Sequence, residues 1–342
     1  MDYVVLGASC AVQIPADTHV PAIVCLKDEF RHHLAKDIGK ATIVGSVEVE
    51  DGLICPPEAI LLHDKRLYAN GETLYCIEGS SIVRINLTEE QFKLNIDHNT
   101  DGGLLVLVMQ SLLNWYMPKC GLAFLHAASF KYQEKVYAIH GFGGAGKTEV
   151  MLEALQRGAV FFSDDLAIFD SMGRIYPYLR KISLHDYPFT DEQLDRFHLN
   201  KQLYHLMCRC QNGSGRIPHY LYNRWRGRFK ISVDAEQINN YLPDDNIALP
   251  INYNYWLESS NYTDFKAVSN EDFVRKMTFC MQNEFRPYVD FDGYFGIVYH
   301  FWPEVRRKRN EVLAEILTRL EIYGLSIQNG HFAELANLIL NT

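Results

Sequence analysis

Residues 141–148 read Gly141-Phe142-Gly143-Gly144-Ala145-Gly146-Lys147-Thr148, a match to the pattern G-x-x-x-x-G-K-S/T. Upstream, Val136-Tyr137-Ala138-Ile139-His140 is apolar enough for a buried strand. Downstream, Lys147 to Arg157 has helical composition, with Val150, Met151, Ala154 and Leu155 on one face. Strand, glycine-rich loop and helix therefore follow in the order a phosphate-binding loop requires. The glycines let backbone N–H groups approach phosphate oxygens at the positive end of the following helix. Gly141, Gly143, Gly144, Ala145, Gly146, Lys147 and Thr148 are thus the expected nucleotide-binding residues. Lys147 should reach the β- and γ-phosphates, and the Thr148 hydroxyl should sit on Mg²⁺. The competing reading is an ordinary glycine-rich turn before a helix.

The next element weighs against that competitor. Ala159-Val160-Phe161-Phe162-Ser163-Asp164-Asp165, after the helix-ending Gly158, is an apolar run of strand length closing on two acids. Carboxylates at the carboxyl end of a strand stand where open α/β sheets bind ligands. One acid can hold the metal or its waters while the other takes a proton from an incoming hydroxyl. Seen alone, such a pair reads as a turn; one helix after a phosphate loop, it reads as a site.

The stretch Phe124 to Asp165, with Leu125-His126-Ala127-Ala128, the loop, Arg157-Gly158 and Ser163-Asp164-Asp165, resembles the bacterial HPr kinase/phosphorylase family and its HPr-kinase-related relatives. His126, fifteen residues before Gly141, and Asp165, seventeen after Thr148, stand at the spacing of that family's histidine and second acid. The resemblance implies Asp165 as proton acceptor for the substrate hydroxyl, Lys147 on phosphate, Thr148 on Mg²⁺ and His126 in a supporting catalytic role. Asp164 becomes a metal-side carboxylate. Fainter similarity covers Val5-Leu6-Gly7 through Ile14-Pro15, Leu104 to Phe124, and Tyr176 to Leu184. The chain lacks a segment like the family's Leu-Glu-Ile-Arg-Gly-Leu-Gly-Ile signature, so neither phosphorolysis nor HPr as substrate carries over. The implied fold is α/β, an HPr-kinase/PEP-carboxykinase-like nucleotide-binding domain preceded by a smaller β-rich domain. The implied activity is transfer of the ATP γ-phosphoryl group to a hydroxyl: a serine of a protein or peptide, including natural-product precursor peptides, or alternatively a small molecule. A third reading is a nucleotide-dependent switch or binding protein.

At 342 residues, with 48% hydrophobic and 13% aromatic residues, the chain can fill a sizeable core. A net charge of −9 argues against nucleic acid or an anionic membrane as partner. The opening does not read as a signal peptide and no run approaches the length of a membrane span, so the expectation is a cytoplasmic protein. Eight scattered cysteines form no disulfide framework, and Cys208-x-Cys210 has no second pair with which to bind zinc.

Turn signals at Asp51-Gly52, Asn70-Gly71 and Glu78-Gly79 separate short runs such as Thr73 to Ile77 and Ser81 to Leu87, which predicts a β-rich domain over residues 1–118. Gly102 to Tyr116 reads as a helix ended by Pro118, joining it to a kinase domain over 119–342. After Pro303, apolar positions at helical spacing predict a helix with Arg306, Arg307, Lys308 and Arg309 on solvent faces. A second basic cluster, Arg224, Arg226, Arg228 and Lys230, alternates with Trp225, Gly227 and Phe229. At strand period these charges share one face, either a clamp for phosphates or an acidic substrate, or a charge-protected edge strand. Asp290-Phe291-Asp292-Gly293 is read as a turn rather than a calcium loop.

Overall fold

The structure is a computed structural model that describes residues 1–16, 19–63, 66–183, 191–196, 200–202, 204–205, 232–234, 247–260, 264–266, 268–284, 295–296, 298–328 and 331–341. The chain divides into two compact units, residues 1–179 with 244–342, and residues 180–243. Arg224, Arg226, Arg228, Lys230, Cys208, Cys210 and the segment from Asp290 to Gly293 lie outside the described residues.

The first unit contains two nine-stranded sheets, both of mixed pairing, with helices, and is therefore α/β. One sheet is built entirely from strands between Asp2 and Ile96. Its sequence logic is alternation: along Ser81–Leu87 every second side chain is buried and the others are half-buried. Asn70 pairs with Thr73 and Glu78 with Ser81, so two-residue loops close tight hairpins at two of the three turn signals.

The helix Gly102–Tyr116 follows this sheet. Asp101 caps it, its Oδ1 accepting the Leu104 N–H at 3.0 Å. Leu104, Leu105, Val108, Met109, Leu112 and Leu113 are all buried, as are its polar residues Gln110, Ser111 and Asn114. A helix apolar on nearly every face must be enclosed, and neighbours close on it from several directions. A Cβ at Gly102 would fall 2.3 Å from Cys25 Cβ in the helix Pro21–Glu29, so only glycine permits that approach. At its other end the rings of Trp115 and Trp302 lie 5.0 Å apart, placing the helix Trp302–Arg319 against it. Arg309, expected on a solvent face of that last helix, is buried instead, its guanidinium 4.5 Å from the Trp115 ring centroid. A planar cation over an indole recovers electrostatic stabilisation while its stem packs, which a reading of charge alone places outside.

The second sheet has the strand order Leu249–Pro250, Arg174–Tyr176, Leu166–Asp170, Leu122–Tyr132, Lys135–Gly141, Tyr253–Ser260, Tyr323–Gln328 and Asp264–Lys266, with Val160–Ser163 also paired to Leu122–Tyr132. Lys135–Gly141, Tyr253–Ser260 and Tyr323–Gln328 run parallel, and Leu122–Tyr132 is antiparallel to Lys135–Gly141. The predicted boundary near residue 118 falls between the two sheets, which belong to the same compact unit. In the second unit, Ile182–Ser183 pairs antiparallel with Ser232–Val233, and Asp191–Arg196 is helical. Among the described residues, no helix is long and apolar enough to cross a membrane.

Candidate functional site

Leu122–Tyr132, eleven residues long, organises the site. Along one edge it pairs with Lys135–Gly141, whose last residue opens the phosphate loop. Along the other it pairs first with Leu166–Asp170, up to His126 opposite Leu166, and then with Val160–Ser163 from Ser129 opposite Ser163. Between those two stretches lie Asp164 and Asp165, facing Ala127 and Ala128. The ladder loosens here and shifts register just beyond, between Ser129 and Phe130: the Ala127 N–H donates to the Asp165 carbonyl at 3.2 Å, and the Leu166 N–H donates to the Asp164 carbonyl at 2.7 Å. Asp165 takes φ 62°, a left-handed conformation unusual for a residue with a side chain. The strand kinks at this point, so one carboxylate is buried and its neighbour is exposed.

The helix Lys147–Gln156 starts directly after Gly146, which adopts φ 97°. A Cβ on Gly146 would meet the Phe332 ring at 2.4 Å, so the C-terminal helix Phe332–Leu340 floors the loop. At the other end a Cβ on Gly141 would sit 2.7 Å from the Leu257 carbonyl oxygen. Both outer glycines are thus fixed by close packing beneath the loop. The inner pair differs: a Cβ on Gly143 or Gly144 meets nothing within 4 Å. The middle of the loop, from Phe142 to Gly144, is exposed.

Lys147 is buried, and its ammonium donates to the carbonyls of Gly141 and Phe142 at 3.1 Å each. Thr148 is buried too, its hydroxyl donating to Asp164 Oδ1 at 2.7 Å. Burial first, and the neighbouring charge of Asp165 second, push the Asp164 carboxyl up to about 8, against the opposing pull of Thr148 and Lys147. A carboxylate so placed is short of positive charge. A hydroxyl and a carboxyl side by side at a helix N-terminus, with one exposed acid adjacent, are the oxygen ligands Mg²⁺ takes alongside phosphate and water. The donor set therefore fits that ion. Among the described residues, no group of three or more His, Cys, Asp or Glu side chains gathers as a metal cage.

His126 is buried and close to the backbone of Asp165. Burial and the Lys147 ammonium push its imidazole down to about 3, so the ring is neutral at physiological pH. Its main-chain N–H points at the Met281 sulfur, 3.1 Å away on the helix Asn270–Glu284. His140, on the loop-bearing strand, holds Asn254 of the adjacent parallel strand at 2.6 Å. Ser129 and Ser163 share a hydrogen bond of 2.5 Å between their hydroxyls, across the ladder beside the paired acids.

The structure thus brings Gly141 to Thr148, Asp164, Asp165 and His126 into one neighbourhood, all of them singled out by the sequence. Asn254, Phe332 and the Ser129–Ser163 pair were not anticipated as parts of it. His140 and Ser129 are polar residues inside otherwise apolar strand patterns, a signal that marks buried partners without identifying them.

Neither the protein-family models nor the curated proteins compared with this chain give a match.

Proposed function

We propose that this protein is an ATP-dependent kinase of the HPr-kinase type, transferring the γ-phosphoryl group to a hydroxyl, with a serine of a protein or peptide as first-choice acceptor. The observation that carries the reading is the Thr148–Asp164 contact of 2.7 Å beside the exposed carboxylate of Asp165. It supplies a metal-side pair and a separate proton acceptor at the mouth of a glycine loop.

In this reading the loop amides and Lys147 hold the phosphates, and Thr148 with Asp164 would hold Mg²⁺. Bound there, the ion supplies charge neutralisation on the phosphates. Lys147 leaves its two carbonyl partners to follow the charge that develops on the transferred group. Asp165 accepts the proton of the attacking hydroxyl, and neutral His126 supports the Asp165 backbone without competing for that proton. Catalysis is then positioning and electrostatics. Arg224, Arg226 and Arg228, which lie outside the described residues, are proposed as contacts for residues around the target serine.

Calorimetry with Mg·ATP tests the foundation: binding to the wild type and its loss or weakening in Lys147→Ala support the reading, whereas folded protein that binds no nucleoside triphosphate in the presence of Mg²⁺ removes it. Incubation with labelled ATP and a lysate separated by size then assigns the acceptor. Label confined to small metabolites replaces the serine substrate with a small-molecule hydroxyl. Binding without any label transfer returns the protein to the class of nucleotide-dependent switches.

A further inference from the structure

The second position of a phosphate loop is free to vary in its pattern, and here it is phenylalanine. Phe142 is 39% exposed, on a loop otherwise made of glycine, alanine, lysine and threonine. Its ring stands edge-on to Trp256, with centroids 5.2 Å apart, and to Phe279, with centroids 6.1 Å apart. Trp256 is fully buried on Tyr253–Ser260, the strand beside the one that opens the loop. Contact with that indole seats the Phe142 ring while much of its surface stays accessible. Phe279 belongs to the helix Asn270–Glu284, whose Phe273, Met277, Cys280 and Met281 are buried at the spacing of one helical face. Phe279 lies off that face and is 58% exposed, so the core packing of its own helix does not account for a phenyl ring there. The helix is held at the loop one residue further on, where the Cys280 thiol donates to the Gly141 carbonyl at 3.7 Å.

Two exposed rings from separate elements thus meet at the phosphate loop, and their place along it says which part of a reaction they border. The Lys147 ammonium, the group that follows the β- and γ-phosphates, donates to the carbonyls of Gly141 and Phe142. The transferred end of a nucleotide therefore faces this end of the loop. The amides where the helix Lys147–Gln156 begins take the phosphates nearer the nucleoside. The rings accordingly flank the side from which an acceptor approaches, not the side of the base.

We infer that Phe142 and Phe279 bind an apolar side chain beside the target serine, so that the acceptor is a peptide segment carrying a large aliphatic or aromatic residue next to its hydroxyl; the inference rests on the kinase reading above. Adjacent exposed rings on a binding loop form the kind of apolar surface that marks a recognition site. Covering them removes apolar surface of both partners from water. Binding energy gained there, away from the reacting atoms, holds the hydroxyl in line with the γ-phosphate. A small hydroxylated metabolite without an apolar arm has nothing to offer this surface.

Synthetic peptides with a single serine among alanines, and each amino acid in turn at the positions flanking it, test the assignment with Mg·ATP as donor. The wild type should phosphorylate peptides with a large apolar flanking residue with kcat/KM about tenfold or more above those with glycine or aspartate there, the discrimination an apolar contact of a few methylenes gives. Phe279→Ala should remove that preference while calorimetric binding of Mg·ATP stays unchanged, and Phe279→Leu should keep most of it. Phosphorylation indifferent to the flanking residues overturns the inference, as does a preference that survives in folded Phe279→Ala; either result leaves the kinase reading intact. Weakened Mg·ATP binding in Phe279→Ala with an unchanged flanking preference assigns the rings to the nucleobase instead. Wild type that binds Mg·ATP but labels none of the peptides overturns the inference together with the peptide acceptor. Failure to bind any nucleoside triphosphate is seen in the calorimetry alone and removes the kinase reading itself.

Discussion

The Thr148 hydroxyl donates to Asp164 Oδ1 at 2.7 Å, and both side chains are buried. The first helical turn after the phosphate loop is thereby tied directly to the break in the strand ladder sixteen residues later. The contact is polar and enclosed, and the carboxyl in it is starved of positive charge until a ligand supplies some.

In metal-free protein the Asp164 carboxyl should therefore contribute less stability as pH rises. The Asp164 carboxyl is near 3.8 when unfolded and about 8 when folded, so between those values the unfolded chain has released a proton that the native state keeps. Rising pH favours unfolding across that window. Asp164→Asn removes the ionisation. In EDTA at pH 8 it should be more stable than wild type by on the order of 1–3 kcal/mol, the cost of a poorly compensated buried polar group, with the difference vanishing near pH 4. Urea denaturation at both pH values checks this, and phosphoryl transfer should be lost in the same variant.

Asp165 separates chemistry from backbone. Asp165→Asn should leave Mg·ATP affinity nearly intact while transfer falls by about 10²–10⁴-fold, the usual worth of a general base. Asp165→Gly tests the backbone: φ 62° costs a side-chain-bearing residue about 1 kcal/mol that glycine does not incur, so this variant should be equally inactive and no less stable. Undiminished transfer by folded Asp165→Asn would move the proton acceptor elsewhere.

Gly146→Ala should destabilise through two separable causes, the φ of 97° and the approach of Phe332 to 2.4 Å from the added methyl position. Adding Phe332→Ala removes only the second. A double-mutant cycle should accordingly give a favourable coupling of about 0.5–3 kcal/mol, with the double variant still weaker than Phe332→Ala alone. Independent, additive effects would show that the helix Phe332–Leu340 does not floor the loop.

His140 sets an acid limit. Burial holds its imidazole down to about 4 in the native state, against 6.5 in the unfolded chain. Below pH 6.5 the unfolded chain takes up the proton first, so the stability present at neutral pH declines towards pH 4 and then levels off. His140→Gln keeps a hydrogen-bonding group for Asn254 and cannot titrate. Denaturation curves at pH 7.5, 5.5 and 4 should show the wild type losing ground to the variant as pH falls.

What the sequence disclosed was local. The strand before Gly141, the helix Lys147–Gln156, the helix Gly102–Tyr116 and the hairpins at Gly71 and Gly79 each carry their own periodicity or turn chemistry within a few residues. Asp164 and Asp165 were recognisable as strand-end acids, although the strand in fact resumes after them at Leu166–Asp170. Contacts between distant segments were hidden. Nothing near Gly146 announces Phe332, and nothing in the run from Arg306 to Arg309 says that one guanidinium turns inward onto Trp115. A hydrophobic period identifies which face of an element is covered; it does not identify what covers it.

The pairing keeps one register from Leu166 opposite His126 to Ser163 opposite Ser129, across Asp164 and Asp165, and shifts only beyond, between Ser129 and Phe130. A slip of one residue would turn His126 to the opposite face of the sheet, so the frame around the acids is specified by its flanks. The two positions inside it carry little of that specification. Inheritance can therefore exchange one carboxylate for another group at residues 164 and 165 while the surrounding architecture holds still, and new chemistry can be sampled without refounding the fold.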